Sequence, residues 1–340
     1  MFKEVLSKVI DGNDVSMDEM SVAMDAIMEG DLTPAQIAGL IVALRMKGET
    51  VAEITGAAGS MRRHATYIDA GARSVVDTCG TGGDAAGTFN ISTTTAFITA
   101  GAGVSVAKHG NRAVSSKCGS ADVLAELGVN IEAEPYVMEQ CLQEHGIGFL
   151  YAPRMHPAMK HAIGPRRELG VRTIFNMLGP LTNPAGATGQ VLGVFTPELT
   201  ETFASVLREL GTRRAFIVHG HDGLDEITVS DTTRVSELRD GSIRTYELSA
   251  ERIFGSFDAP ETLTGGNPAC NAAILRRVLQ GEEGAPLRVC LVNAAAAIVA
   301  GEAADTLEDG LDKARESVRG GAAAEKLQTL IDATNEDVLL

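Results

Sequence analysis

Near residue 72 the hydrophobic pattern changes its period, and this restricts the fold more than any other feature of the chain. The first 65 residues read as helices. Ser16…Glu19, Thr33…Gln36 and Thr50…Glu53 each place a hydroxyl three residues before an acid or amide, the capping-box spacing at a helix start. Pro34 suits a first helical position and Gly48 a helix exit. Between them Ile37, Leu40, Ile41 and Leu44 form an apolar stripe at helical spacing. Small helical units with such stripes often pack on a second chain, so the stripe predicts a homodimer through this region. From about residue 72 strands and helices alternate: strands at Ser74–Cys79, Val104–Lys108, Gly148–Tyr151, Gln190–Phe195 and Arg214–His219, with helices at Ile91–Ala102, Ala121–Leu127 and Leu199–Leu210. Alternation of this kind implies a mostly parallel sheet covered on both faces. Arg234–Leu238 and Ile243–Leu248, joined by Asp240-Gly241, read as a hairpin. The Ala-rich C-terminal third reads as helices with one further strand at Leu287–Val292, and the stretch from His156 to Asn183 as helices packing back on the N-terminal ones. The expectation is an α/β protein: a small helical domain, residues 1–70 joined by about 166–186, and a large α/β domain over 71–340 with a mostly parallel central sheet.

The strand at Ser74 runs into Asp77-Thr78-Cys79-Gly80-Thr81-Gly82-Gly83-Asp84. Glycines there let bare backbone N–H groups converge on an anion, because no Cβ blocks the approach. Between Asp84 and Asp122 there is no Asp or Glu, although 45 acids in 340 residues would place about five in such a stretch. The same stretch holds Lys108, Arg112 and Lys117, which suggests an anionic ligand. The formal net charge of -16 disfavours nucleic acid or an anionic membrane as a partner. It also means that an anionic substrate needs local cations or metal ions. Five widely spaced cysteines without a CxxC pair read as reduced thiols in a cytoplasmic protein. Lys3, Glu4 and Lys8 interrupt any signal-peptide core, and the longest wholly apolar run, from Ala294 to Ala300, is too short to span a bilayer.

Three readings of the glycine loop compete. A Walker A loop ends in Gly-Lys-Ser/Thr, which is absent. Gly80, Gly82 and Ala85 match a dinucleotide fingerprint superficially, but no acid follows about 20 residues on to hold a ribose. A phosphoribosyl pyrophosphate cradle accounts for the remaining features. The loop, together with Asn90-Ile91-Ser92-Thr93, the run Lys108-His109-Gly110-Asn111-Arg112-Ala113-Val114-Ser115-Ser116-Lys117-Cys118-Gly119-Ser120, Arg172-Thr173-Ile174-Phe175-Asn176 through Gly179-Pro180-Leu181-Thr182-Asn183-Pro184, and Gly223-Leu224-Asp225-Glu226, resembles the anthranilate phosphoribosyltransferase family. The resemblance covers the whole chain, and all five motifs in this order are specific to that family.

The resemblance implies magnesium-dependent transfer of a 5-phosphoribosyl group from phosphoribosyl pyrophosphate to the amine of anthranilate, with release of pyrophosphate, in tryptophan biosynthesis. It implies donor contacts from Gly80, Gly82, Gly83, Asp84, Thr88, Asn90, Ile91, Ser92 and Thr93. Further donor contacts come from Lys108, His109, Gly110, Asn111, Arg112, Ala113, Val114, Ser115, Ser116 and Ser120. Gly80, Asn111 and Arg166 are implied at the acceptor, and Ser92, Asp225 and Glu226 as ligands of Mg²⁺, with two ions per monomer. The adjacent carboxylates of Asp225 and Glu226 repel each other unless a cation shares them. An Arg holds a carboxylate bidentately, and Arg167, adjacent on the helix, faces elsewhere. His109 is open between the aromatic acceptor, a proton-accepting role and a structural one. Two other classes remain as alternatives: a pyrimidine nucleoside phosphorylase, and a non-catalytic nucleic-acid-binding relative of the same fold.

Overall fold

The computed structural model describes residues 2–71, 74–84, 86–113 and 117–336; Val114, Ser115 and Ser116 lie outside the described residues. Four helices open the chain: α1 (Phe2–Ile10), α2 (Met17–Met28), α3 (Pro34–Lys47) and α4 (Val51–Arg63). All three capping boxes close in both directions, so the hydroxyl and the residue three on satisfy two orphan backbone donors at each helix start. Glu53 does more than cap. Fully buried, it also accepts the Val15 N–H at 3.1 Å and the Lys47 ammonium at 3.0 Å, which fixes the α1–α2 connection against α4.

Ile37, Leu40, Ile41 and Leu44 are each at most 1% exposed. The helices that cover them are α1 and two later ones, Lys160–Leu169 and Ile174–Leu178, which return from the middle of the chain to pack on α3. The stripe is therefore internal core, and the expectation that it waits for a partner chain is corrected.

Among the described residues the sheet has seven strands: β1 (Val75–Gly80), β2 (Ser105–Gly110), β3 (Ile147–Tyr151), β4 (Gly189–Gly193), β5 (Arg214–Gly220), β6 (Thr232–Arg239) and β7 (Ser242–Ser249). Their order is β3-β2-β1-β4-β5-β6-β7. The first five run parallel, and β6 and β7 add an antiparallel edge. The β6–β7 turn places Asp240 at φ 47° and Gly241 at φ 81°, the two positive values that a tight two-residue hairpin asks for. Helices α5 (Ile91–Gly101) and α6 (Ser120–Leu127) follow β1 and β2.

One expected element is wrong. Leu287–Val292 lies inside the helix Ala285–Ala300, not in a strand. That helix is buried almost all round, packed on α5, β4 and the helix Leu307–Arg319. A helix apolar on every face carries no 3.6-residue periodicity, so a short window of it reads like a buried strand.

Candidate active site

After β1 the chain moves outward in one direction through β2 and β3. From β4 it moves in the other. In an open parallel sheet the crevice beyond the strand ends at such a reversal is where ligands bind. Here it lies between the paired strand ends Gly80 and Gly193. The glycine loop turns away from β1 with the Thr81 N–H on the Gly193 carbonyl at 2.8 Å, and Gly82 and Gly83 both take positive φ. The Gly82 N–H donates to Asp225 Oδ2 at 2.9 Å. Side chains are excluded on both strand ends: a Cβ at Gly80 would come 2.5 Å from Asp225 Oδ2, and one at Gly193 would run into the Asp225 carbonyl. Gly193 escaped the sequence reading, because nothing around it marks it until strand order sets it beside Gly80.

Asp225 and Glu226 stand in the connection between β5 and β6 and reach back over the crevice. Burial, then the neighbouring Asp84 charge, pushes the Asp225 carboxyl above the usual carboxylate range; burial, then Asp225, does the same to Glu226. Two features oppose this at Glu226. The Lys108 charge lies close by, and the Ser92 N–H donates to its carboxylate from the first turn of α5, where the helix dipole favours an anion. Lys108 is buried beneath the loop, donating to the Thr78 carbonyl and to Ser92 Oγ. Ser92 and Glu226 thus lie beside one buried ammonium, while Asp225 is tied to the glycine loop. From behind, Asn293 on the helix Ala285–Ala300 holds the next residue with both halves of its amide: the Ile227 N–H donates to Oδ1 at 3.0 Å, and Nδ2 donates to the Ile227 carbonyl at 2.8 Å.

Among the described residues no three His, Cys, Asp or Glu side chains converge into a closed metal cage. The donor set is nevertheless one that Mg²⁺ fits. Two carboxylates and a hydroxyl are all hard oxygen donors, and Mg²⁺ usually completes its shell with water and substrate phosphate. Burial, with a second carboxylate beside each, disfavours their negative charge, and a bound cation would offset that.

In the second loop, Asp122 accepts N–H groups from Ala113 and Gly119, both at 2.9 Å, and the Arg112 guanidinium at 3.0 Å. Burial alone would raise this carboxyl, but these hydrogen bonds outweigh burial and hold it low. Arg112 is therefore engaged by an acid, which moderates its expected role as an open cation. Ser120 donates to the Asn111 carbonyl at 3.2 Å, and Gly110 is held to glycine by Ser120 and Phe149. Ile91 and Thr93 turn their side chains into the core, so their expected contact with a ligand is limited to the backbone. Thr88 forms a bridge with Thr264.

Beside the loops, the buried Asp77 accepts the His109 N–H at 3.1 Å and the Asn183 amide at 2.8 Å. Burial first, then the neighbouring His156, lowers His109 to about 3; burial lowers His156 to about 4. Both rings are neutral near pH 7. They lie 5.0 Å apart, and each has a buried Nε2 with no hydrogen-bond partner among the described residues. His156 carries no signal in the sequence. Arg166 is half-buried with its guanidinium 5.2 Å from the centre of the Phe175 ring, while Arg167 is exposed. No acid pairs with Arg166 among the described residues, and no hydrogen bond or ion pair joins it to the glycine loop. Arg172 does reach that loop: it donates to the Gly83 carbonyl, stacks 4.5 Å from the Phe195 ring, and has its own carbonyl held by Arg45 of α3.

Comparison with known proteins agrees with this geometry. Residues 3–65 match the helical bundle domain of the glycosyl transferase family, and residues 72–324 match its a/b domain. The anthranilate phosphoribosyltransferase of Desulfosudis oleivorans is 57% identical over 99% of this chain and 100% of its own length. That of Acetivibrio thermocellus is 52% identical over 98% and 97%. The crystal structure of the Thermus thermophilus enzyme superposes with a TM-score of 0.93 at 42% identity, covering 97% of this chain and 99% of that one. The Saccharomyces cerevisiae enzyme in complex with PRPP and Mg gives 0.88 at 27% identity, covering 98% of each chain. With two family models side by side along its length and full-length relatives above half identity, this chain belongs to the anthranilate phosphoribosyltransferase family.

Proposed function

We propose that this protein transfers the 5-phosphoribosyl group of phosphoribosyl pyrophosphate to the amine of anthranilate, releasing pyrophosphate, with Mg²⁺ held by Ser92, Asp225 and Glu226. The observation that carries the reading is the meeting of the glycine loop, two adjacent carboxylates and the N-terminus of α5, with buried Lys108 beside Ser92 and Glu226. The amine of anthranilate is neutral and nucleophilic at pH 7, so the work lies in the leaving group and in the positive charge that develops at the anomeric carbon. Mg²⁺, when bound, offsets the charge of the departing diphosphate. The loop N–H groups of Gly82 and Gly83 and the donors of the Lys108–Ser120 loop hold that diphosphate in place, so that most of the barrier is lowered by positioning and fixed dipoles. Arg166 holds the carboxylate of anthranilate, its guanidinium being half-buried and without an acidic partner among the described residues. Neutral His109 is anchored through Nδ1 on the Gly179 carbonyl at 3.1 Å with its Nε2 buried, which favours a structural role over a proton-accepting one.

The reading extends to two Mg²⁺ per monomer, to a cytoplasmic homodimer associating through the helical domain (residues 1–70 with about 166–186), and to a chain that needs neither membrane nor nucleic acid. No helix among the described residues is long and apolar enough to cross a membrane. The test is release of pyrophosphate from the two substrates across a Mg²⁺ titration. Asp225→Asn with Glu226→Gln is expected to lower turnover at limiting Mg²⁺, with partial recovery in excess. A rate independent of Mg²⁺ overturns the metal assignment.

A further inference from the structure

Asn90 opens α5 at the N-cap position, yet its side chain caps nothing. Asparagine there usually satisfies a helix N–H. Its amide is committed elsewhere. Nδ2 donates to the Cys118 carbonyl at 3.1 Å, and Oδ1 accepts from Asn271 Nδ2 at 2.9 Å and from the Cys118 thiol at 3.4 Å. Asn271 is 1% exposed, on the helix Pro268–Leu279, and its Oδ1 accepts the Gly266 N–H at 2.7 Å. Both ends of this chain of hydrogen bonds are backbone groups of fixed polarity: the Gly266 N–H can only donate and the Cys118 carbonyl can only accept. The two amide orientations between them are therefore dictated, not chosen. The surrounding backbone is equally constrained. Residues 263–265 pair with 87–89 through Phe89 N–H to Leu263 O at 3.1 Å and Gly265 N–H to Gly87 O at 2.9 Å. A Cβ on Gly265 would stand 2.6 Å from the Phe89 nitrogen.

We propose that Asn271 is a positioning residue for the donor site, setting the polarity of Asn90 so that its remaining N–H, and not its carbonyl, is offered to the anionic donor. The inference rests on the phosphoribosyl pyrophosphate reading of the two loops. It assigns a role to a segment that the sequence motifs leave out, and it explains how one buried amide holds the 87–90 segment and Cys118 in a fixed relation.

Asn271→Asp tests it, since the shape is kept while a donor becomes an acceptor carrying charge. The KM for phosphoribosyl pyrophosphate should rise roughly tenfold or more, the range of a lost charge-assisted contact, with the KM for anthranilate nearly unchanged. On an Asn90→Ala background the same substitution should add little, because its effect passes through Asn90. Ser317→Ala, which removes a remote buried hydrogen bond to the Ile98 carbonyl, serves as a control for general destabilisation and should move neither KM. Calorimetric binding of inorganic pyrophosphate gives a readout independent of turnover and should weaken in Asn271→Asp. If Asn271→Asp does not fold, Asn271→Ala carries the same comparisons. A donor KM at the wild-type value, equal rises in both KM values, or a full additional effect on the Asn90→Ala background overturns the proposal. Wild-type protein that binds pyrophosphate but transfers nothing to anthranilate overturns the reaction and leaves Asn271 to be judged by pyrophosphate binding.

Discussion

Arg166 and Arg167 are adjacent in sequence and differ in fate: one is half-buried over an aromatic ring, the other is in solvent. Arg166→Ala keeps a good helix former and should leave donor binding intact while raising the KM for anthranilate roughly ten- to a hundredfold. Arg167→Ala should change it little, and a larger effect at Arg167 would show that the acceptor lies on the other face. His109 and His156 make a different prediction. Their folded pKa values, about 3 and about 4, lie below the unfolded value of roughly 6.5, so the unfolded chain binds more protons as pH falls. Their contribution to stability is intact above pH 6.5 and declines below it, by up to about 1.4 kcal/mol per pH unit for each ring. Thermal unfolding at pH 7.5 and pH 5 should show that decline, and His156→Gln should reduce its slope. The charged residues of the site were legible in the sequence, because an acid-free stretch and an acidic pair stand out in an acidic chain. His156, Gly193, Asn271 and Asn293 were not. Each acquires its role from what the sheet places beside it, and that neighbour is distant in sequence.

Among the elements, those that announce themselves locally were readable. The three capping boxes and the Asp240-Gly241 turn rest on contacts within a few residues, and all of them form. The helix Ala285–Ala300 was misread over Leu287–Val292 because full burial erases the periodicity that tells helix from strand. Strand ends carry the sharpest prediction at this scale. In Gly193→Ala the new methyl meets the Asp225 carbonyl, so the acidic connection after β5 must shift. Overpacking of this kind costs about 1–3 kcal/mol. The variant should keep its circular dichroism spectrum, lose part of its melting temperature and lose most of its turnover. Full activity would mean that the position of Asp225 is not critical.

At the scale of the molecule, the apolar stripe of α3 proved to be the protein's own core, so an interface between copies must use other surface. Leu40→Ala should cost about 2–5 kcal/mol in unfolding free energy, as for other buried leucines, without changing the sedimentation coefficient of a dimer at micromolar concentration. Dissociation on that substitution would return the stripe to the interface. Distance along the chain has a further consequence. Asn271 lies 181 residues beyond the Asn90 that it holds, and Asn293 lies 66 residues beyond Ile227, the residue after the acidic pair. During synthesis the early helices and first strands emerge while both clamps are still unmade, and N-terminal units generally fold first. The growing chain thus carries Asn90 and the acidic connection after β5 unclamped until the helices Pro268–Leu279 and Ala285–Ala300 have left the ribosome, so this part of the site stays unset well after its own residues have been made.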